Sequence, residues 1–196
     1  MGQSDTNPHT PTVHTIDTAP ERSKPLLKNS IAGFGMIPNL HGVMAESPAM
    51  LEAYQRVHGL VGQSAFDAAE RTVVWQAINV AHNCLYCVPA HTAIAHREKV
   101  DPELIVALRA GSVLHDTKLE ALRVFTLSVL RGRGHVDATT RAAFHAAGYG
   151  KRHVLEVVLI LSQKVMSNYV NHLFDTPLDT AFQPFAWLPA EVTDAA

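Results

Sequence analysis

Residues 70–95 read ERTVVWQAINVAHNCLYCVPAHTAIA, and the fold class turns on the period of this stretch. Val73, Val74, Ala77, Ile78 and Ala81 recur at three- and four-residue spacing, which places them on one face of a helix. Asp67, with Glu70 three residues later, forms a capping-box-like start in front of them. The chain then reaches Asn83, which reads as a cap, and enters a second element carrying Cys84, Cys87 and His91. Pro89 lacks the N–H that would bond Leu85, so this second helix either starts near Leu85–Tyr86 or is kinked at the cysteines.

Working outward, the same signals repeat. Pro48 behind Ser47 opens a helix with Met50, Leu51, Tyr54, Val57, His58 and Val61 at helical spacing. Asp101-Pro102 starts another, which Gly111 ends. Asp116 starts a third, with Leu119, Leu122, Phe125 and Val129 inward, closed by Gly132-Arg133-Gly134. Asp137 to Gly148 is a short Ala-rich helix. Arg152 to Phe174 is the longest and most apolar and is expected to be central, and Pro177 is expected to start a final short helix. No segment alternates with period two between hairpin turns. The expected fold is all-α, a single-domain helical bundle of about eight helices over residues 26–196. Residues 1–25 are expected to form an extended N-terminal arm, loose or laid on a neighbouring surface.

Composition narrows the class. Of 196 residues 47% are hydrophobic, which excludes disorder of the whole chain. Charged residues make up only 17%, below the usual ~25%, so part of the surface is expected to be covered by another copy of the chain in a homo-oligomer. Sixteen basic and eighteen acidic residues give a net charge of −2 with no Lys/Arg run, which removes the electrostatic case for nucleic acid. The longest apolar stretch, Val154–Leu161, is interrupted by Glu156 and falls short of the ~20 residues of a bilayer crossing, so no membrane partner is expected. The first 25 residues hold no apolar core of a secretory signal, and a cytoplasmic location is expected.

Cys84 and Cys87 are the only cysteines. On a helix turning about 100° per residue, position 87 lies roughly 60° from position 84 and position 91 roughly 20° from it, so all three share one stripe. Three chemistries use these residue types. One is a pair of small buried hydrophobes with a core histidine. A second is a zinc site completed by His82 or His96, although no distant second ligand pair is evident. The third, which leads, is a redox dithiol. There a helix N-terminus and a neighbouring base favour the thiolate, His91 one turn beyond Cys87 takes its proton or stabilises its charge, and Cys84 resolves a sulfenic acid on Cys87. No cofactor or metal is needed for that chemistry. Tyr86 reads as packing with a hydroxyl handle. Lys164, Asn168 and His172, with Ser167, Tyr169 and Asn171 between them, form a polar stripe for which solvent, a partner chain and the active-site cavity are the alternatives, and the solvated or interface reading leads. Phe182, Phe185 and Trp187 read as a cover over the core or a neighbour's surface.

The segment Glu70–Ala95, with Cys-x-x-Cys-x-x-x-His behind a helix, resembles the alkyl hydroperoxidase D-like group of the carboxymuconolactone decarboxylase family. Residues 34–39 (FGMIPN), Ser47-Pro48 and residues 108–111 (LRAG) carry the resemblance over about 160 residues. It implies a helical homo-oligomer with thiol-dependent peroxidase activity, a hydroperoxide substrate and an external dithiol reductant. Two positions depart from the pattern: Thr72 stands where the family's relay glutamate falls, and Tyr86 stands where those peroxidases carry a histidine. Glu70 would face within about 40° of Cys84 on a continuous helix and is the candidate replacement. The candidate site is therefore Cys87, Cys84, His91, Glu70 and Tyr86. A carboxymuconolactone-type decarboxylase is the alternative within the family, although that reaction needs no dithiol.

Overall fold

The computed structural model describes residues 11–189, and short polar residues start most of its helices. Ser47 accepts the Met50 N–H at the start of α3 (Pro48–Val61), and Asp67 and Glu70 close a reciprocal capping box on α4 (Ala68–Ala81). Asp101, Asp116 and Asp137 cap α6 (Pro102–Arg109), α7 (Thr117–Arg131) and α8 (Ala138–Ala146) in the same way. The remaining helices are α1 (Lys24–Phe34), α2 (Asn39–Met44), α5 (Cys87–Arg97) and α9 (Lys151–Phe174). Two 3-10 turns, Glu21–Ser23 and Thr180–Phe185, flank the set, and no strand occurs among the described residues.

Two apolar clusters divide the interior. The larger is built by α4, α7, α8 and α9, with Val74, Ile78, Leu122, Phe125, Phe144 and Ile160 in it. Within it Phe144 stacks on Phe125 and on Tyr149, with centroids 3.9 and 4.8 Å apart. The smaller joins α1, α2 and α3 to the cysteine segment through Leu27, Leu40, Leu51, Tyr54, Cys84 and Cys87. The central place expected for α9 falls to α4, which is buried along nearly its whole length, whereas α9 exposes Leu155 and Val158.

The sequence reading differs from the structure at four other places. Pro177 starts no helix; its carbonyl accepts from Asn39, and the last turn begins behind Asp179 instead. Asn83 is no cap; it takes φ +52° in the left-handed turn that separates α4 from α5. Helix α1 begins at Lys24, inside the segment read as arm, and α2 carried no helical signal of its own. Of the arm itself, residues 1–10 lie outside the described part, and residues 13–14 lie along α2 of the same chain. His14 donates its N–H to the Gly42 carbonyl and pairs with Glu46 at 2.7 Å. Gly42 permits this approach, since a Cβ there would meet Val13 Cγ1 at 2.8 Å.

Candidate active site

The α4–α5 junction decides where the sulfur atoms sit. After the left-handed Asn83, the Cys84 N–H returns to the Asn79 carbonyl, and Cys87 is the first residue of α5. Pro89 then falls in the first turn, where no intrahelical donor is lost. The Cys87 N–H donates to Cys84 Sγ at 3.3 Å, and both thiols are free and buried. Only Cys87 faces a cavity of about 220 Å³ between α1, α2, α3, α5 and the last turn. Cys84 lies behind it.

The remaining surroundings of the two cysteines come from α4 and α9. Asn171 donates its amide N–H to Cys87 Sγ at 3.2 Å and lies 3.9 Å from Cys84 Sγ. Lys164 is fully buried, and its Nζ lies 2.8 Å from His91 Nε2. Asn168 bridges Asn79 and His82, and Asn79 and Gln76 hold the Cys87 and Val88 carbonyls at the head of α5. This amide lattice fixes α5 against α4 and α9 and satisfies backbone groups that the loop would otherwise bury unpaired.

The charge is divided unequally between the two thiols. Burial by itself would push Cys87 up. The Cys84 hydrogen bond, the Lys164 ammonium and hydrogen bonds from Ser167 and Asn171 outweigh it and bring Cys87 down to about 5. Cys84 moves up, because it gives its hydrogen bond to Cys87 and is itself buried beside that charge. Thiolate therefore belongs on Cys87 and the proton on Cys84. His91 is held well below its ordinary value by burial, then by the charges of Lys164 and His58, so it is a neutral imidazole. His41 and His58, on the same cavity wall, are likewise lowered to about 3 and about 4, mainly by burial. With Lys164 donating to Nε2, the His91 proton sits on Nδ1, a buried atom without a protein partner.

The structure brings Cys84, Cys87, His91 and Tyr86 together and leaves Glu70 apart. Glu70 sits in the first turn of α4, and eleven residues at ~1.5 Å each put it about 17 Å from the end that leads to the cysteines. Its carboxylate accepts the Asp67 N–H and pairs with Lys118 at 2.7 Å. The facing angle drawn on a continuous helix fails because the helix breaks at His82–Tyr86. The Tyr86 hydroxyl donates to Asp179 and accepts the Leu40 N–H, pinning the last turn and α2 over the cavity, where Phe182 covers it. His82 is engaged by Asn168 and His96 stacks on Phe185, and among the described residues no group of three or more His, Cys, Asp or Glu is placed to hold a metal ion.

Lys164, Ser167, Asn168 and Asn171 are the residues that the sequence reading misplaced. Read first as a solvated or interface stripe, they are buried beside the cysteine segment, while His172 is exposed. Their signal was present: positions 164, 167, 168 and 171 repeat at i, i+3, i+4 and i+7, the spacing of an inward face.

The comparisons agree with this fold. The carboxymuconolactone decarboxylase family profile matches residues 48–127, which hold α3 to α6 and most of α7. The fold is alkylhydroperoxidase D-like. It matches the alkylhydroperoxidase AhpD core of an uncharacterized peroxidase-related protein from Ralstonia eutropha with TM-score 0.75 at 19% identity, over 87% of this chain and 92% of that one. A peroxidase-related protein from Silicibacter sp. matches with TM-score 0.74 at 20% identity, over 91% and 97%. A cysteine-to-alanine variant of the debrominase Bmp8, in complex with 2,3,4-tribromopyrrole, matches with TM-score 0.74 at 17% identity, over 93% and 97%. No curated protein matches the chain. The resemblance read from the cysteine segment thus extends to the whole fold. No helix among the described residues is long and apolar enough to cross a membrane.

Proposed function

We propose that the protein is a dithiol peroxidase that reduces hydroperoxides through Cys87 and Cys84, reset by an external dithiol. The observation that carries this reading is the division of charge: one thiolate facing a cavity, one thiol directly behind it. The Cys87 thiolate attacks the terminal oxygen of the hydroperoxide, forming the S–O bond as the O–O bond breaks, and leaves a sulfenic acid and an alkoxide. His91 Nδ1–H supplies the alkoxide proton, and Lys164 returns a proton to Nε2. The Cys84 thiol then attacks the sulfenic sulfur, releasing water and closing the disulfide. An external dithiol reduces that bond by exchange. Tyr86 acts through position, holding the last turn over the site, and Glu70 acts through the α4 cap.

Cumene hydroperoxide consumption with dithiothreitol as reductant tests this. Cys87→Ser should abolish turnover, and Cys84→Ser should leave one turnover ending in a sulfenic acid on Cys87, read by mass spectrometry. Stable sulfenic acid on Cys84 in Cys87→Ser would reverse the roles.

A second reading has two observations in its favour: the cavity is largely apolar and ring-sized, and a debrominase shares the fold. The same thiolate would then attack a different electrophile, and a faster loss of tribromopyrrole than of hydroperoxide would select it. We also assign the unit a homo-oligomeric state. Leu155, Val158, Tyr169 and Leu173 are exposed and fall within about 60° of one another on α9, which leaves an apolar stripe facing outward. Sedimentation at micromolar concentration reads the mass directly.

A further inference from the structure

The cavity has two ends, and they differ in charge. Its α5 wall includes a stripe of Cys87, Ala90, His91, Ile94 and Arg97. Ten residues at ~1.5 Å put the Cα atoms of Cys87 and Arg97 about 15 Å apart along the helix, and the arginine stem leans back toward the cysteine end. Arg97 is exposed and makes no ion pair or hydrogen bond among the described residues, whereas Arg71, Arg123 and Arg152 are each engaged by a carboxylate. No Asp or Glu among the described residues lines this cavity. Between the ends the lining is apolar or aromatic, with Phe34, Leu40, Tyr54 and Phe182, and the three imidazoles on it are neutral.

We propose that Arg97 is an anion subsite at the cavity mouth, and that the substrate is a ring-sized organic hydroperoxide carrying a carboxylate at the end opposite its peroxide group. This deepens the peroxidase reading and rests on it. The volume sets the size: a cavity of ~150 Å³ holds benzene, so about 220 Å³ holds a ring with short branches and excludes a long acyl chain. The charge pattern sets the polarity. A free guanidinium suits a planar carboxylate in bidentate geometry, and no carboxylate on the cavity wall competes for it, since the neighbouring Glu98 pairs with Arg71. A neutral substrate would leave Arg97 unused, and a cationic one would meet Arg97 at the mouth and Lys164 at the floor.

The test pairs cumene hydroperoxide with its para-carboxy derivative in the wild type, Arg97→Gln and Arg97→Lys. The expected result is a lower KM for the carboxylated compound in the wild type. That KM should rise about tenfold in Arg97→Gln with kcat unchanged, and be partly restored in Arg97→Lys. The KM for cumene hydroperoxide should stay the same in all three. A second arm measures calorimetric binding of para-isopropylbenzoate, which has no peroxide group, to the reduced protein. Arg97-dependent binding without turnover of either hydroperoxide would sink the peroxidase reading and leave the subsite standing. Equal KM values for the two hydroperoxides, or isopropylbenzoate binding unchanged in Arg97→Gln, would overturn the subsite.

Discussion

The inward faces of the two halves of α9 are both fully buried and do opposite things. Val157 and Ile160 in the first half enter the large apolar cluster, while Gln163, Lys164, Ser167, Asn168 and Asn171 in the second face the cysteine segment. The first half stabilises by removing hydrocarbon from water. The second has to satisfy every polar atom, since an unpaired one costs about 1–3 kcal/mol. It does so for all but Asn171 Oδ1, which has no protein partner, with Asn79, His82, Trp75 and His91 among the residues engaged. The residue that most needs explaining is Lys164, a charge taken wholly out of water. Its burial makes sense only with an anion beside it, and the Cys87 thiolate is that anion, the first influence that raises Lys164 against its own burial. The comparison teaches that depth of burial does not separate scaffold from site; the chemistry of the buried face does.

The largest effect should come from breaking the charged half. In Lys164→Met the thiolate loses its countercharge while the volume is nearly kept. An opposite charge at close range shifts an acid by about 1–3 units, so Cys87 should rise from about 5 toward 8. Alkylation by iodoacetamide at pH 6 should then slow on the order of 10²-fold, with a smaller loss at pH 8. A pH profile unmoved from wild type would remove Lys164 from the site.

The apolar half should respond in the other currency. Ile160 is fully buried, and Ile160→Ala should lower stability by about 2–5 kcal/mol, read from the denaturant midpoint. The thiol pH profile should stay where it was. If Ile160→Ala shifts that profile as far as Lys164→Met does, the two halves are not separate.

The cavity wall gives a third, pH-dependent difference. His41 and His58 are lowered to about 3 and about 4 in the folded chain, and His91 is lowered too. Unfolded histidines titrate near 6.5, so below that pH the unfolded chain binds protons that the folded one refuses. Stability should therefore fall as pH drops from about 6.5 toward 4, by about 1.4 kcal/mol per pH unit for each histidine, and recover above. Cys87 acts in the same direction between about 5 and 9, where the unfolded thiol holds a proton and the folded one does not. His58→Phe should reduce the slope below pH 6.5 by about one proton, measured as the denaturant midpoint against pH.

Legibility in the sequence followed the range of the interactions. Helix starts were readable because Ser47, Asp67, Asp101, Asp116 and Asp137 act on N–H groups two or three residues away. The Cys84, Cys87 and His91 cluster was readable because it sits on one short segment. Helix α2 was not, since its burial is decided by α1, α3, α9 and residues 13–14 rather than by its own pattern. Asp179 reaches Tyr86 across 93 positions, and Lys164 reaches His91 across 73, and no local rule reports such pairs. The i, i+3, i+4, i+7 spacing of the polar residues on α9 was visible, yet polarity was taken as exposure. A polar face with core periodicity, on a chain that also carries a reactive thiol, marks a buried partner of that thiol.

The smallest effect belongs to Glu70, where sequence and structure differ most. Its carboxylate serves α4 twice, through the Asp67 N–H and through Lys118 at 2.7 Å. Burial would push Glu70 up, but hydrogen bonds from Lys118 and Asp67 bring it below its ordinary value. A lowered carboxylate stabilises the fold above its unfolded value near 4.5 and loses that contribution as pH falls through the folded value. The Lys118 end is half-exposed, so solvent screens the pair, and glutamine keeps the capping hydrogen bond. Glu70→Gln should therefore cost no more than about 1 kcal/mol at pH 7, and less at pH 4. Cys87 lies beyond the helix break at the far end of α4, so its alkylation profile should not move. A shift of that profile in Glu70→Gln approaching the one expected for Lys164→Met would show that Glu70 reaches the thiol through α4 after all, and the division of the molecule into scaffold and site would have to be redrawn at that helix.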